Sequence, residues 1–396
     1  MTLPTARVRD PRLDFFRGLG MFIILVAHIT DNPWSLWIPA RFGFSDATEI
    51  FVFCSGMASA VAFGGVFARA GFGWGVLRIA HRIWQVYWVH IGVFLCTLLA
   101  ALMIDLSGLF PDSEVAALNL NKFIYNTGPN LVGLMTLTYV PNYFDVLPMY
   151  LVILALIPPM IALARVHRML PLLASAALWL LAGPGGINLP AEWWFVEPST
   201  RPWFFNPFAW QLVFFTGFAL MSGWLPAPPV ARWLVALAIA VVVLSVPFAW
   251  HKVINASEMV RDWRGDWWRL FDKTNFGILR YVHFLALVYL AWILAGPGGA
   301  RLKQGAILSR FAAMVSRVGR QSLAVFAASM VLARILGAFL DLTGRGILPT
   351  LAMNLLGFAL IVAVAELAAL IKRQPWREAV RPAVRTIPPI GEEVKA

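Results

Sequence analysis

The chain has 396 residues, 60% of them hydrophobic and only 13% charged, with 18 tryptophans. A water-soluble domain is roughly 45–50% apolar and roughly 25% charged, so this balance excludes a soluble globular protein and indicates an integral membrane protein. A formal charge of +12 raises nucleic acid or anionic lipid as partners, and the placement of that charge decides between them.

The N-terminus offers Arg7, Arg9, Arg12 and Arg17 ahead of an apolar run, superficially like a signal peptide. That run leads into His28-Ile29-Thr30-Asp31-Asn32-Pro33 with no small-x-small cleavage site, which predicts a retained spanning helix. Arg17 and His28 stand eleven positions apart, roughly 16 Å at about 1.5 Å per helical residue, half the hydrocarbon core of a bilayer. A titratable imidazole at such depth is a functional-site hypothesis by default.

Windows able to span occur near residues 15–30, 47–67, 83–104, 146–164, 169–183, 207–222, 230–249, 278–295, 321–340 and 348–371, predicting ten helices in an all-α, polytopic membrane protein. The shorter windows need interfacial aromatics and snorkelling arginines to complete the crossing. Cys54 and Cys96 lie inside apolar runs and read as packing residues. The hexapeptide Leu-Ala-Gly-Pro-Gly-Gly, at 181–186 and again at 294–299, reads as two helix stops built from Gly and Pro. One membrane domain over 1–372 and a charged, proline-bearing tail over 373–396 are the expected organisation.

With the N-terminus cytoplasmic, most of the 32 basic residues fall in inside segments, and Asp105, Asp112, Glu114, Glu192, Glu197, Glu258, Asp262, Asp266 and Asp272 fall outside. This is the positive-inside pattern, with both termini cytoplasmic. Topology therefore accounts for the positive charge, membrane lipid is the surrounding partner, and no nucleic acid is implied.

On this map His28 lies toward the outer end of the first helix, and Asp46 and Glu49 open the second at the same level. Three residues apart, the two carboxylates share a helical face and can both approach His28. A carboxylate beside an imidazole orients it and makes it more basic, suiting it to take a proton from a hydroxyl. The plainer reading is that Asp46 and Glu49 favour a helix N-terminus. Arg280 and His283 share a face at the outer start of the eighth helix, and Asp145 stands at the outer start of the fourth. Each is a candidate for a substrate site, with Arg280 suited to a carboxylate. Glu366 and Arg334, inside late apolar windows, are candidates for pairing across helices. The outer tryptophans Trp193, Trp194, Trp203, Trp263, Trp267 and Trp268 suit either an interfacial belt or stacking on sugar rings, the belt being favoured. The remaining histidines lack ligand spacing, so no metal is expected.

Leu13-Asp14 through His28 with its Arg-x10-His spacing, Gly43-Phe44-Ser45-Asp46-Ala47-x-Glu49-Ile50-Phe51-Val52-Phe53-x-Ser55-Gly56, Asp145-Val146-Leu147-Pro148-Met149-Tyr150, Asn206-Pro207-Phe208-Ala209-Trp210-Gln211-Leu212, Lys273-Thr274-Asn275-x3-Leu279-Arg280-x2-His283 and Gly319-Arg320-x-Ser322-Leu323 together resemble the OpgC-type branch of the acyltransferase-3 superfamily. The resemblance covers residues from about 10 to 330. It implies a bacterial inner-membrane enzyme that moves an acyl group, typically succinyl, from cytoplasmic acyl-CoA to hydroxyls of a periplasmic glucan. It makes His28 the essential histidine and Arg17 the arginine of the motif. The superfamily often carries Arg-x-x-Arg in the first cytoplasmic loop, where this chain has Arg78-Ile79-Ala80-His81-Arg82. Independently of the resemblance, Arg17, Arg78 and Arg82 suit the phosphates of CoA. A pantetheine arm, on the order of 15–20 Å long, would bridge the distance from Arg17 to His28. His28 can serve as general base in a direct transfer or as an acyl-accepting nucleophile. The alternative is a secondary transporter binding a proton or substrate at His28, Asp46 and Glu49, although no Gly/Pro-broken helices correspond between two halves of the chain.

Overall fold

The computed structural model describes residues 10–110, 112–192 and 201–375. All ten windows are helical: α1 (Pro11–His28), α2 (Ala47–Arg69), α3 (Phe72–Ser107), α4 (Val146–Val166), α5 (Leu170–Leu181), α6 (Pro207–Ser222), α7 (Arg232–Ala249) and α8 (Ile278–Ala295) are followed, after one further helix α9 (Ala306–Arg320), by α10 (Ser322–Thr343) and α11 (Ile347–Arg373). Seven of these, α2, α3, α4, α7, α8, α10 and α11, are long and apolar enough to cross a membrane. The other three candidates fall short of that standard: α5 and α6 in length, with 12 and 16 residues, and α1 because Arg12, Asp14 and Arg17 sit within its 18 residues. Among the described residues the only β-pairing is an isolated bridge between Pro190 and Pro202. From residue 376 onward the expected tail lies outside the described residues.

Local chemistry sets the ends of the helices that matter most. The Asp10 carboxylate accepts the Arg12 N–H at 2.9 Å ahead of Pro11, which fixes the start of α1. At α2 the plainer reading of Asp46 and Glu49 takes a specific form, a capping box. Asp46 Oδ1 accepts the Thr48 N–H at 2.7 Å, and Glu49 Oε2 reaches back to the Asp46 N–H at 2.9 Å. Both Gly-Pro hexapeptides stop helices as expected, α5 at Leu181 and α8 at Ala295. Helix α4 divides at Leu156, where Pro158 and Pro159 supply no N–H to continue the ladder.

Packing places α2 at the centre, against α1, α3 and α6. Its crossing with α6 runs backbone to backbone: a Cβ on Gly56 would lie 2.0 Å from Phe214 O, and one on Gly217 would lie 2.4 Å from Phe53 O. Only glycine permits that approach, and it draws the first turns of α2 into the interior. Helix α9, expected as part of a cytoplasmic loop, instead packs along α1 through Ala312, Val315 and Gly319 while Ile307, Leu308 and Phe311 stay exposed. An amphipathic stripe carries too few apolar residues to register as a span, which is why a search for apolar windows passes over it.

Candidate functional site

One end of the bundle gathers charged side chains in buried pairs. His28 closes α1, and its Nδ1 lies 2.7 Å from Ile24 O. A carbonyl oxygen only accepts, so Nδ1 carries the proton and the neutral ring presents Nε2 as its basic nitrogen. The orienting group of His28 is thus a backbone carbonyl one turn back, not the carboxylate of Asp46 or Glu49. Those carboxylates are held elsewhere. Asp46 pairs with Lys273 at 2.6 Å and Arg280 at 3.4 Å, and Glu49 accepts from Arg280 Nε at 2.8 Å. Burial alone would raise the Asp46 carboxyl, but Lys273 and Arg280 hold it well below the usual carboxylate range. Asp46 nevertheless remains, with Lys273 and Arg334, among the charges whose fields reach His28.

Arg280, expected to face a substrate carboxylate, is 8% exposed and committed to these two acids. Lys273, at 34% exposure, is the more accessible cation of the cluster. His283, also expected at a substrate site, is buried and takes Ser45 as partner, Oγ to Nδ1 at 2.8 Å. Asp145 is buried away from the ion pairs. It accepts the Phe204 N–H at 3.2 Å, and burial pushes its carboxyl up to about 6.

Tyr143, Glu114 and Lys273, which sequence reasoning did not assign to a site, complete this end together with Arg334. Tyr143 sets its ring edge-on to His28, 5.3 Å between centroids, while its hydroxyl donates to Met330 O at 2.6 Å. Its φ of 87° is a left-handed conformation rare for a bulky residue, costing on the order of 1–3 kcal/mol. Arg334 lies 5.8 Å from the Tyr143 ring and is paired to Glu114, on the short helix Glu114–Ala117. Arg334 and Glu366 are therefore not partners: Glu366 pairs with Arg317 at 3.0 Å. Lys273 completes the set. The stretch between α7 and α8 carries Lys252, Arg261, Arg264 and Arg269 as well, so the sequence does not single Lys273 out, and nothing in it marks the Tyr143 backbone. Of the outer tryptophans, Trp203 is neither belt nor sugar platform: it is 2% exposed, its indole donating to Pro190 O. Trp267 and Trp268 are exposed, and Trp193 and Trp194 lie outside the described residues.

The opposite end is open. A cavity of about 1120 Å³ has Arg17, Arg78, His81, Arg82 and Gln85 on its wall, so the three arginines singled out for phosphates face one space. Arg17 also reaches Ser55 Oγ at 3.2 Å and Arg82 reaches Gln85 Oε1 at 3.2 Å. Among the described residues no carboxylate pairs with Arg78 or Arg82. A second, narrow cavity of about 80 Å³ shares Leu13, Phe53, Met57, Val288 and Trp292 with the first and reaches Ser45 and Asp46. The two cavities thus adjoin across these shared side chains, the wide one at the arginines and the narrow one at the foot of the charged cluster. Cys54 lines the narrow part, and Cys96 is exposed; neither forms a disulfide. Among the described residues no group of three or more His, Cys, Asp or Glu is placed to hold a metal ion.

Compared with known proteins, the chain matches the family model described as OpgC protein over residues 9–373. No curated protein and no solved structure matches it.

Proposed function

We propose, from the premise that the chain belongs to the OpgC protein family, that it is a ten-pass inner-membrane O-acyltransferase carrying a succinyl group from cytoplasmic acyl-CoA to a hydroxyl of a periplasmic glucan. Family membership points to a glucan-modifying acyltransferase, and the apolar helices to a multi-pass membrane protein. The observation that carries the finer reading is the adjacency of two cavities, one lined by Arg17, Arg78 and Arg82 and the other by Ser45 and Asp46, across a shared wall that includes Phe53 and Met57. A polyanionic nucleotide fits the wide, cationic part, and a thin arm fits the apolar part. At about 80 Å³ the narrow part has room for several waters, so the arm enters as Met57 and Phe53 turn aside. His28 lines neither cavity but lies within the fields of Asp46 and Lys273. On this reading its Nε2 takes the proton of the glucan hydroxyl as that oxygen attacks the acyl carbonyl. Lys273, the exposed cation beside Asp46, is suited to the free carboxylate of a succinyl group.

The secondary-transporter reading has no observation in its favour. Purified protein with succinyl-CoA and a linear or cyclic glucan tests the proposal. Sustained turnover of succinyl-CoA to free CoA is expected only when glucan is present, with succinyl esters on the glucan by mass spectrometry. CoA release indifferent to glucan, or uptake of glucan into liposomes without any acyl-CoA, would overturn it.

A further inference from the structure

Ser45 and His283 form a nucleophile and base pair that direct transfer leaves unused. Ser45 Oγ lies 2.8 Å from His283 Nδ1, and the Ser45 N–H points to the same nitrogen at 3.3 Å. Two donors converging on one ring nitrogen make Nδ1 the acceptor, so the imidazole is poised to remove the hydroxyl proton. The position of the ring is built into the chain. A Cβ on Gly43 would fall 2.1 Å from His283 Nε2, so only glycine leaves room for the imidazole there. Phe44 packs edge-on to the same ring at 6.3 Å, and among the described residues Nε2 has no hydrogen-bond partner. Both side chains are 2% exposed, shielded from water that would hydrolyse an ester. Ser45 nevertheless lines the narrow cavity, which adjoins the arginine-lined one across Phe53 and Met57.

We propose that Ser45 is an acyl-carrying nucleophile, with His283 as its base, so that the acyl group crosses in two steps. This rests on the acyl-CoA reading above. In the first step Ser45 Oγ bonds to the acyl carbon, the carbon–sulfur bond breaks, and the Oγ proton passes through His283 Nδ1 to the departing sulfur, leaving free CoA thiol. In the second the glucan oxygen bonds to the acyl carbon and the Ser45 ester breaks. His28 takes the hydroxyl proton and a proton returns to Oγ, so none is gained or lost. The relay removes the need for donor and acceptor to meet: CoA withdraws on one side before the glucan engages on the other.

The test uses the whole protein in detergent with succinyl-CoA, quenched in acid and digested for mass spectrometry. In the His28→Ala protein the second step is blocked, so a succinyl ester should persist on the peptide containing Ser45 even with glucan present. It should resist neutral hydroxylamine, which distinguishes it from a thioester on the neighbouring Cys54. Ser45→Ala should lose the label and at least about 100-fold of the transfer rate. The label in the His28→Ala protein does not depend on whether Ser45→Ala folds. Wild-type transfer that proceeds normally while His28→Ala carries no acyl group, or carries it on Cys54, overturns the relay and leaves direct transfer standing. A wild-type protein that releases no CoA with glucan present overturns the acyltransferase reading, and the relay with it.

Discussion

Both ends of the bundle pair charges, but one of them also turns arginines without an acid partner among the described residues onto a large cavity. At the end holding His28, cations and carboxylates are matched inside the protein: Asp46 with Lys273, Glu49 with Arg280, Glu114 with Arg334. At the other, beside the pairs Asp10–Arg12 and Asp14–Arg320, Arg78 and Arg82 line that cavity with no carboxylate of the described residues paired to them. Desolvated charges are tolerated only when paired, so the matched end is a rigid frame whose groups hold one another in place. At the open end, on the proposed reading, a polyanion would meet Arg78 and Arg82 in the cavity that they face. One end is built for position, the other for capture.

That contrast is most sharply broken at His28. Replacing His28 with Ala should reduce glucan succinylation by at least about 100-fold, the usual scale of a general base, while helix content and membrane insertion stay unchanged. Circular dichroism and glucan ester analysis give the two readouts. Full activity in that protein would remove the matched end from the chemistry altogether.

The next largest effect tests whether the frame is mechanical. Glu49 is wholly buried against Arg280, so Glu49→Gln leaves a guanidinium with one acid where it had two. Breaking a buried pair from one side typically costs about 3–5 kcal/mol. A lower thermal midpoint in detergent is expected, with part of the loss recovered in the Glu49→Gln, Arg280→Met double variant. A midpoint within a degree of wild type would mean that the pairing does not hold the frame.

Much of this was legible beforehand, for physical reasons. Ten apolar windows mark ten helices because membrane helices satisfy their own backbone, so the apolar pattern alone locates them. Arg17, Arg78 and Arg82 converge because the ends of α1 and α3 that carry them come together at one cavity. What the sequence hid were pairings between distant segments, since nothing in the sequence around Glu114 names Arg334 as its partner 220 residues on. It hid Tyr143 as well, whose left-handed backbone is imposed by tertiary contacts rather than by a local signal. Asp46 and Glu49 were seen as a pair on one face, yet the same spacing serves a capping box, and their charges then went to Lys273 and Arg280 rather than to His28.

Asp145 is the exception that sharpens the comparison, a buried carboxyl with no ion pair among the described residues, held only by backbone N–H groups such as that of Phe204. Burial raises its pKa from 3.8 to about 6, so the folded state prefers it protonated. Its contribution to stability is complete below the ordinary value and is lost as pH rises through about 6. Asp145→Asn keeps an acceptor for the Phe204 N–H without a charge to bury. It should match wild type near pH 4 and exceed it near pH 8 by on the order of 2–3 kcal/mol. A stability difference that does not vary with pH would show that the carboxylate finds a cation in the folded protein.

The smallest effects are expected at the open end, and they carry the most specific information. On the proposed reading, Arg78→Ala and Arg82→Ala each remove one charge-assisted contact to a CoA phosphate and leave the frame untouched. Each should raise the KM for succinyl-CoA about tenfold with kcat nearly unchanged, because contacts made equally in the ground state and transition state affect binding alone. Lysine at either position should restore part of the affinity, since it returns the charge without the fork of donors that grips a phosphate from two sides. Raised salt should weaken wild-type binding and affect the alanine variants less, as screening acts on charges those variants lack. A fall in kcat instead would couple the two ends: the arginines would then be placing the thioester against the charged cluster across the membrane, not merely catching the nucleotide that carries it.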